Sequence, residues 1–309
     1  MSKNPSAVVF AYHNMGIIGL DALLRNGFEI KTVFTHRDDP HEHCWFASVA
    51  DWCGIQGIPC DRDTEANSPA FVELVRACGP DFLFSFYYRD VLSTKVLKCA
   101  RRAAINLHGS LLPKYRGRAP VNWAIINGEK ETGVTLHHMT VKPDAGDIIG
   151  QRSVPIGDRD TAADVYARLE ESAGMLLDEM LPLVLKGDAP GIPQISAEVT
   201  VCRRRCPEDG LINWHDSARC IFNLIRAVTE PYPGAFTWLR GDKLIIWWAR
   251  PEMDCAGLGP GEIGADGGRI RIGTRAGCLL LEKAEYRGNI LAGCELADAL
   301  RPYNGTVLA

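Results

Sequence analysis

No stretch of this chain stays apolar for long. None of its hydrophobic runs approaches the roughly 20 residues that a membrane-crossing helix needs, so bilayer insertion is not expected. The opening residues, MSKNPSAVVFAYH, lack both the long apolar region and the cleavage-like site of a signal peptide, and the expected location is cytoplasmic. A basic excess is also missing. The formal net charge is -4, so no global field recruits nucleic acid or an anionic membrane, although a local basic patch is still open. The 11 cysteines are odd in number and scattered. Cys202 and Cys206 are the closest pair, with no second pair at zinc-ligand spacing, so reduced thiols and no metal are expected. The dinucleotide fingerprint GxGxxG is absent after the first apolar run. Gly16 and Gly19 there read as packing and turn residues, with a phosphate at the helix start as the alternative.

What the chain does contain is ordinary globular material, 46% hydrophobic and 23% charged over 309 residues, enough for one large domain and a smaller one. Short apolar runs at Val8–Ala11, Lys31–Thr35 and Asp81–Phe86 alternate with helical patterns at Phe46–Gly54 and Pro69–Cys78. That alternation predicts an α/β domain with a mostly parallel, Rossmann-like sheet and helices on both faces. Further on, Val121–Asn127 reads as a helix, and Gly133–Met139 and Ile148–Ile156 as strands. A long helix is expected to open at Thr161, with Asp164 three residues later, and to run through Leu185. Lys186–Ser196 contains two Gly and two Pro and marks the boundary. The expected division is a catalytic domain over 1–190, a linker over 191–196 and a second domain over 197–309. Beyond it come a helix at Ser217–Val228, two strands within Ala235–Ala249, and short β-like runs between Gly257 and Gly277. These suggest a small OB-like barrel or sheet. The last residues, RPYNGTVLA, are expected to form a loose tail.

The stretch AINLHGSLLPKYRGRAP, from Ala104 to Pro120, carries the chemistry. Asn106 and His108 lie two apart in a strand-like run, so both side chains share one face. An amide there can donate to a developing oxyanion, and an imidazole can move a proton near neutral pH. Asp144, in VKPDAGD, supplies a carboxylate that would fix the imidazole's tautomer. His137 and His138 are neighbours in a strand and face opposite ways, which suits structural roles. His41 and His43 could ligate a metal, but a solvated loop is the simpler reading. Asn122, just beyond the RGRAP loop, is either ordinary helix surface or a contact to an acceptor. Arg204 and Arg205, in the basic run Arg203–Arg205, either edge a solvated hairpin or grip a diphosphate with their guanidinium forks.

With these residues laid out, the chain resembles the folate-dependent formyltransferases. The resemblance rests on NLHGSLLPKYRGRAPVNWAIINGEKETGVTLHHM followed by DAGDII, and extends through FAYHNMG, SFYYRDVL, RRRCPEDGLINW and AVTEPYPGAF. Within the family it is most similar to the branch that formylates UDP-4-amino-4-deoxy-L-arabinose for lipid A modification and polymyxin resistance. The resemblance implies 10-formyltetrahydrofolate as the donor and a sugar-nucleotide amine as the acceptor. It makes Asn106 the oxyanion stabiliser and His108 the proton carrier, with Asp144 setting the charge of His108. It implies folate contacts at Asp90, Val91 and Leu92, at Arg118, and along Thr140, Val141, Lys142 and Pro143. A tRNA acceptor, used by the methionyl-tRNA branch, would favour a basic, extended loop after the second strand and a basic second domain. Here that loop, THRDDPHEHCWF, is short and acidic. A dTDP-linked amino sugar would use the same chemistry as the UDP-linked one.

Overall fold

The computed structural model describes residues 4–38, 44–255 and 257–309. His41 and His43 lie outside them. The described chain divides into two compact units: 1–120 with 131–155 and 166–203, and 121–130 with 156–165 and 204–309.

The first unit is built on β1 (Ser6–Ala11), α1 (His13–Arg25), β2 (Glu29–Phe34), α2 (Val49–Gln56), β3 (Cys60–Asp61), α3 (Pro69–Cys78), β4 (Phe82–Phe86), α4 (Thr94–Leu97), β5 (Ala103–His108) and β6 (Arg116–Gly117). After α5 (Pro120–Ile126) it continues with β7 (Glu131–His138), β8 (Ile148–Pro155), most of α6 (Ala162–Lys186) and β9 (Val201–Cys202). Its sheet has the order β3-β2-β1-β4-β5-β7-β8. The first five strands run parallel; β7 runs against them, and β8, antiparallel to β7, runs in their direction again. β4, FLFSF, is buried throughout and shows why the sheet must be covered on both sides. Phe82, Phe84 and Phe86 stack along one face. Leu83 points the other way, into a cluster with Val8, Phe10, Phe34, Phe71 and Val75. α1 lies close over the first face: a Cβ on Gly19 would stand 2.2 Å from the Phe86 ring. The packing reading of that glycine holds.

Local signals set the ends of several elements. Ser68 caps α3 by accepting from the Phe71 N–H at 3.2 Å, Pro69 follows, and Gly79 closes it in the left-handed conformation. Thr161 and Asp164 form the reciprocal cap ahead of α6. α2 starts three residues later than its periodicity suggests, because Phe46 packs on Tyr12 and His13 instead. The first unit runs on to Arg203, past the Gly- and Pro-rich stretch that the sequence marks as a boundary. Ile192 pairs with Ile148, the Gln194 amide donates to the carbonyls of Asp144 and Gly146, and Thr200 N–H donates to Pro113.

The second unit contains α7 (Ala218–Val228), β10 (Ala235–Leu239), β11 (Asp242–Glu252), β12 (Ile263–Asp266), β13 (Arg269–Gly273), β14 (Cys278–Tyr286), β15 (Asn289–Ala292) and α8 (Gly293–Leu300). Its strands form an antiparallel sheet, β10-β11-β14-β13-β12, with β15 added to β14. The terminal residues are not a loose tail. Trp238 and Ala309 exchange backbone hydrogen bonds at 3.1 and 3.2 Å, while Ile263 and Gly261 pair with Thr306, Gly305 and Leu308. The tail therefore bridges the outer edge of β12 and the Trp238 end of β10, where Leu211 and Ile212 already pair with Phe236, and closes the sheet into a barrel, with Leu308 buried.

Candidate active site

β5 delivers Asn106 and His108 to one face at its carboxyl end, as the two-residue period requires. His108 is 7% exposed. Its Nε2 lies 2.8 Å from the Tyr115 carbonyl, and its Nδ1 faces Asp144 Oδ1 at 3.6 Å. A carbonyl can only accept, so Nε2 carries a hydrogen. The Asn106 amide nitrogen is 3.5 Å from the same carboxylate oxygen. Asn106, His108 and Asp144 thus converge, although Asp144 arrives from a separate loop.

His137, which the sequence assigns a structural role, lies beside this group. It stands opposite Asn106 in the β5–β7 ladder, and it is 1% exposed. Nδ1 sits 2.9 Å from the His138 carbonyl, while Nε2 lies 3.0 Å from the Asn106 amide nitrogen and 3.6 Å from Asp144 Oδ1. Strand register, which a single strand's pattern does not reveal, is what brings this ring beside Asn106 and the carboxylate.

Burial pushes the Asp144 carboxyl up. The His108 charge, the hydrogen bond and charge of His137, and the Gly117 N–H more than reverse this, and hold it well below the usual carboxylate range. The site therefore keeps one buried, ionised carboxylate between two imidazoles. A short ribbon holds their partners in place. β6 pairs with β9, Tyr115 N–H donates to Thr200 Oγ1 at 2.7 Å, and Arg116 N–H donates to the Thr200 carbonyl at 2.9 Å.

The residues that the resemblance ties to folate lie in two segments and one arginine. Leu92 is buried in the first-unit core, whereas Asp90 and Val91 face outward. Arg118 donates to the Arg89 carbonyl. Val141, Lys142 and Pro143 are exposed, and Thr140 Oγ1 donates to the Lys142 carbonyl at 2.9 Å. Asn122, Arg204 and Arg205 belong to the second unit. Asn122 is buried and its amide donates to the Ala227 carbonyl at 2.7 Å, so it holds α5 to α7 and its amide is not displayed on a helix surface. Arg205 lies over the Trp123 ring at 4.8 Å and donates to the Asp209 carbonyl; Arg204 is exposed.

The formyl transferase family model matches residues 27–181, half of the chain, and that of the formyl transferase C-terminal domain matches residues 206–297. The chain belongs to the formyl transferase family. Family membership makes it a group-transfer enzyme and gives the convergence around His108 its context. Among solved structures it is similar to an N-formyltransferase from Helicobacter canadensis, crystallised with folinic acid and dTDP-3-aminofucose. That likeness has a TM-score of 0.68 at 20% identity, over 90% of this chain and 99% of that one. HypX from Aquifex aeolicus matches with a TM-score of 0.63 at 21% identity over 99% of this chain, which spans 48% of the HypX chain. A sugar N-formyltransferase from a Shewanella species matches with a TM-score of 0.63 at 19% identity, over 79% of this chain and 97% of that one. At such identities the likeness is one of fold.

Proposed function

We propose that this formyl transferase moves the formyl group of 10-formyltetrahydrofolate to the amine of a sugar nucleotide, with UDP-4-amino-4-deoxy-L-arabinose as the acceptor. The observation that carries the chemistry is the convergence of Asn106, His108 and the ionised Asp144. The donor and acceptor classes draw support from the Helicobacter relative, which was crystallised with a reduced folate and a nucleotide amino sugar.

The neutral amine attacks the formyl carbon, and a new N–C bond forms as the carbonyl oxygen takes up negative charge. The Asn106 amide is the donor that meets this oxygen. Collapse of the adduct breaks the bond to the folate nitrogen. The proton that the amine gives up ends on that nitrogen, so no net charge is created. His108 carries it. Its Nε2 is committed to the Tyr115 carbonyl, so proton traffic runs through Nδ1, the nitrogen beside Asp144. The carboxylate stabilises the imidazolium formed on the way and is not itself protonated.

Purified protein given 10-formyltetrahydrofolate and a panel of UDP- and dTDP-linked amino sugars should formylate the UDP-linked arabinose amine fastest, with product read by mass spectrometry. Faster transfer to a dTDP-linked amine would move the acceptor assignment, and transfer to charged initiator tRNA at a comparable rate would overturn it. His108→Ala should lower turnover about 10²- to 10⁴-fold while folinic acid still binds. Unchanged turnover would remove His108 from the mechanism.

A further inference from the structure

The strand order β3-β2-β1-β4-β5 changes direction between β1 and β4. In open α/β sheets a ligand crevice forms outside the carboxyl ends of the strands at such a switch point. The segment that leaves β4, residues 87–93, lies there, and so does His36, two residues beyond β2.

Side chains from distant parts of the chain grip the backbone of this segment. His36 Nε2 accepts the Arg89 N–H at 2.9 Å, and its ring stacks on Tyr88 with centroids 4.1 Å apart and planes at 21°. The Arg118 guanidinium takes the Arg89 carbonyl. Asn67 then closes on both sides of Leu92: its Nδ2 donates to the Val91 carbonyl at 2.9 Å, and its Oδ1 accepts the Ser93 N–H at 2.6 Å. Asn67 is itself in the left-handed conformation, φ 67, which asparagine tolerates well. An irregular segment has no ladder of its own to satisfy these groups, so the grips decide where its amides and carbonyls point.

We propose that His36 and Asn67 are positioning residues that shape the 89–93 backbone into the seat of the formyl donor, His36 through the lone pair of Nε2, so that donor binding weakens in acid. The donor's identity rests on the formyl-transfer reading above; the grip itself does not. A ring that accepts a hydrogen bond at Nε2 and then gains a proton there loses that bond and becomes a cation beside Arg89 and Arg118. Tyr12 lies edge-on to the ring at 5.4 Å, and its hydroxyl donates to Asp38. Burial pushes the imidazole below its ordinary value; the Asp90 charge partly counters this, while Arg89 and Arg118 add to it. The ring is therefore an acceptor at neutral pH, and the bond is lost only as pH falls through that lowered value.

Two measurements test this, with folinic acid as the probe. Wild-type affinity should fall as pH is taken well below the ordinary histidine range, and His36→Gln, which keeps an acceptor that does not titrate, should flatten that fall. His36→Ala and Asn67→Ala should each weaken folinic acid about ten-fold at neutral pH. Without ligand, hydrogen exchange of the peptide covering 87–93 should accelerate in both alanine variants, with the β5 and β7 peptides unchanged. Wild-type exchange in 87–93 together with wild-type affinity in His36→Ala and Asn67→Ala would overturn the proposal. Faster exchange in a protein that never binds folinic acid would keep the grip and sink the donor assignment. An unaltered pH profile in His36→Gln would reject the acid switch.

Discussion

Gly117 N–H donates to Asp144 Oδ2 at 2.9 Å, across 27 residues of chain. That single backbone bond turns the other carboxylate oxygen toward His108 and His137, both 3.6 Å away. It forms only because residue 117 has no side chain. Its φ is 105°, and a Cβ there would stand 2.3 Å from the Cys202 carbonyl.

Gly117→Ala should therefore displace the β6–β9 ribbon and take the N–H away from Asp144. Turnover is expected to fall about 10²-fold, with the thermal midpoint lowered by a few degrees. Steady-state kinetics beside a melting curve would check it; a variant with normal turnover would show that this bond does not organise the site.

Asp144→Asn keeps the shape and removes the charge. The expected result is a loss of about 10²-fold or more in kcat with little change in donor affinity. The sign of its pH effect follows from the lowered carboxyl. The ionised group stabilises the fold above the ordinary aspartate range, and that contribution disappears as pH falls through its folded value. Urea melts at successively lower pH should show a shallower acid loss in Asp144→Asn than in the wild type.

His13 makes a second, separate prediction about acid. It is buried among Trp45, Phe46, Tyr87 and Tyr166, and burial, reinforced by Arg89, pushes it from 6.5 down to about 4. The unfolded chain therefore takes up a proton before the folded one does. Stability should fall by about 3 kcal/mol between neutral pH and pH 4 on this account alone. His13→Asn, which tolerates the left-handed φ of 66° at this position, should remove that slope in denaturant titrations.

Replacing Arg204 and Arg205 together by Ala should raise KM for the sugar nucleotide far more than KM for the donor, if their guanidinium groups meet a diphosphate. Equal changes in both KM values would reject a nucleotide role.

The sequence by itself determined the alternation of elements in the first unit, the ends of α3, and the pairing of Asn106 with His108 on one face. These are local matters: a period of two, a capping serine, a proline and a closing glycine act within a few residues. Only the tertiary structure decided what lies beside them. Strand register set His137 opposite Asn106. A missing Cβ at Gly117 let one ribbon fix Asp144, and His36 and Asn67 reached the segment after β4 from distant parts of the chain. The terminal residues carry loop-like letters, yet they close a barrel because two strand edges needed partners for their N–H and C=O groups. Such partnerships depend on which backbone groups folding leaves unpaired, and no local pattern of residues encodes that.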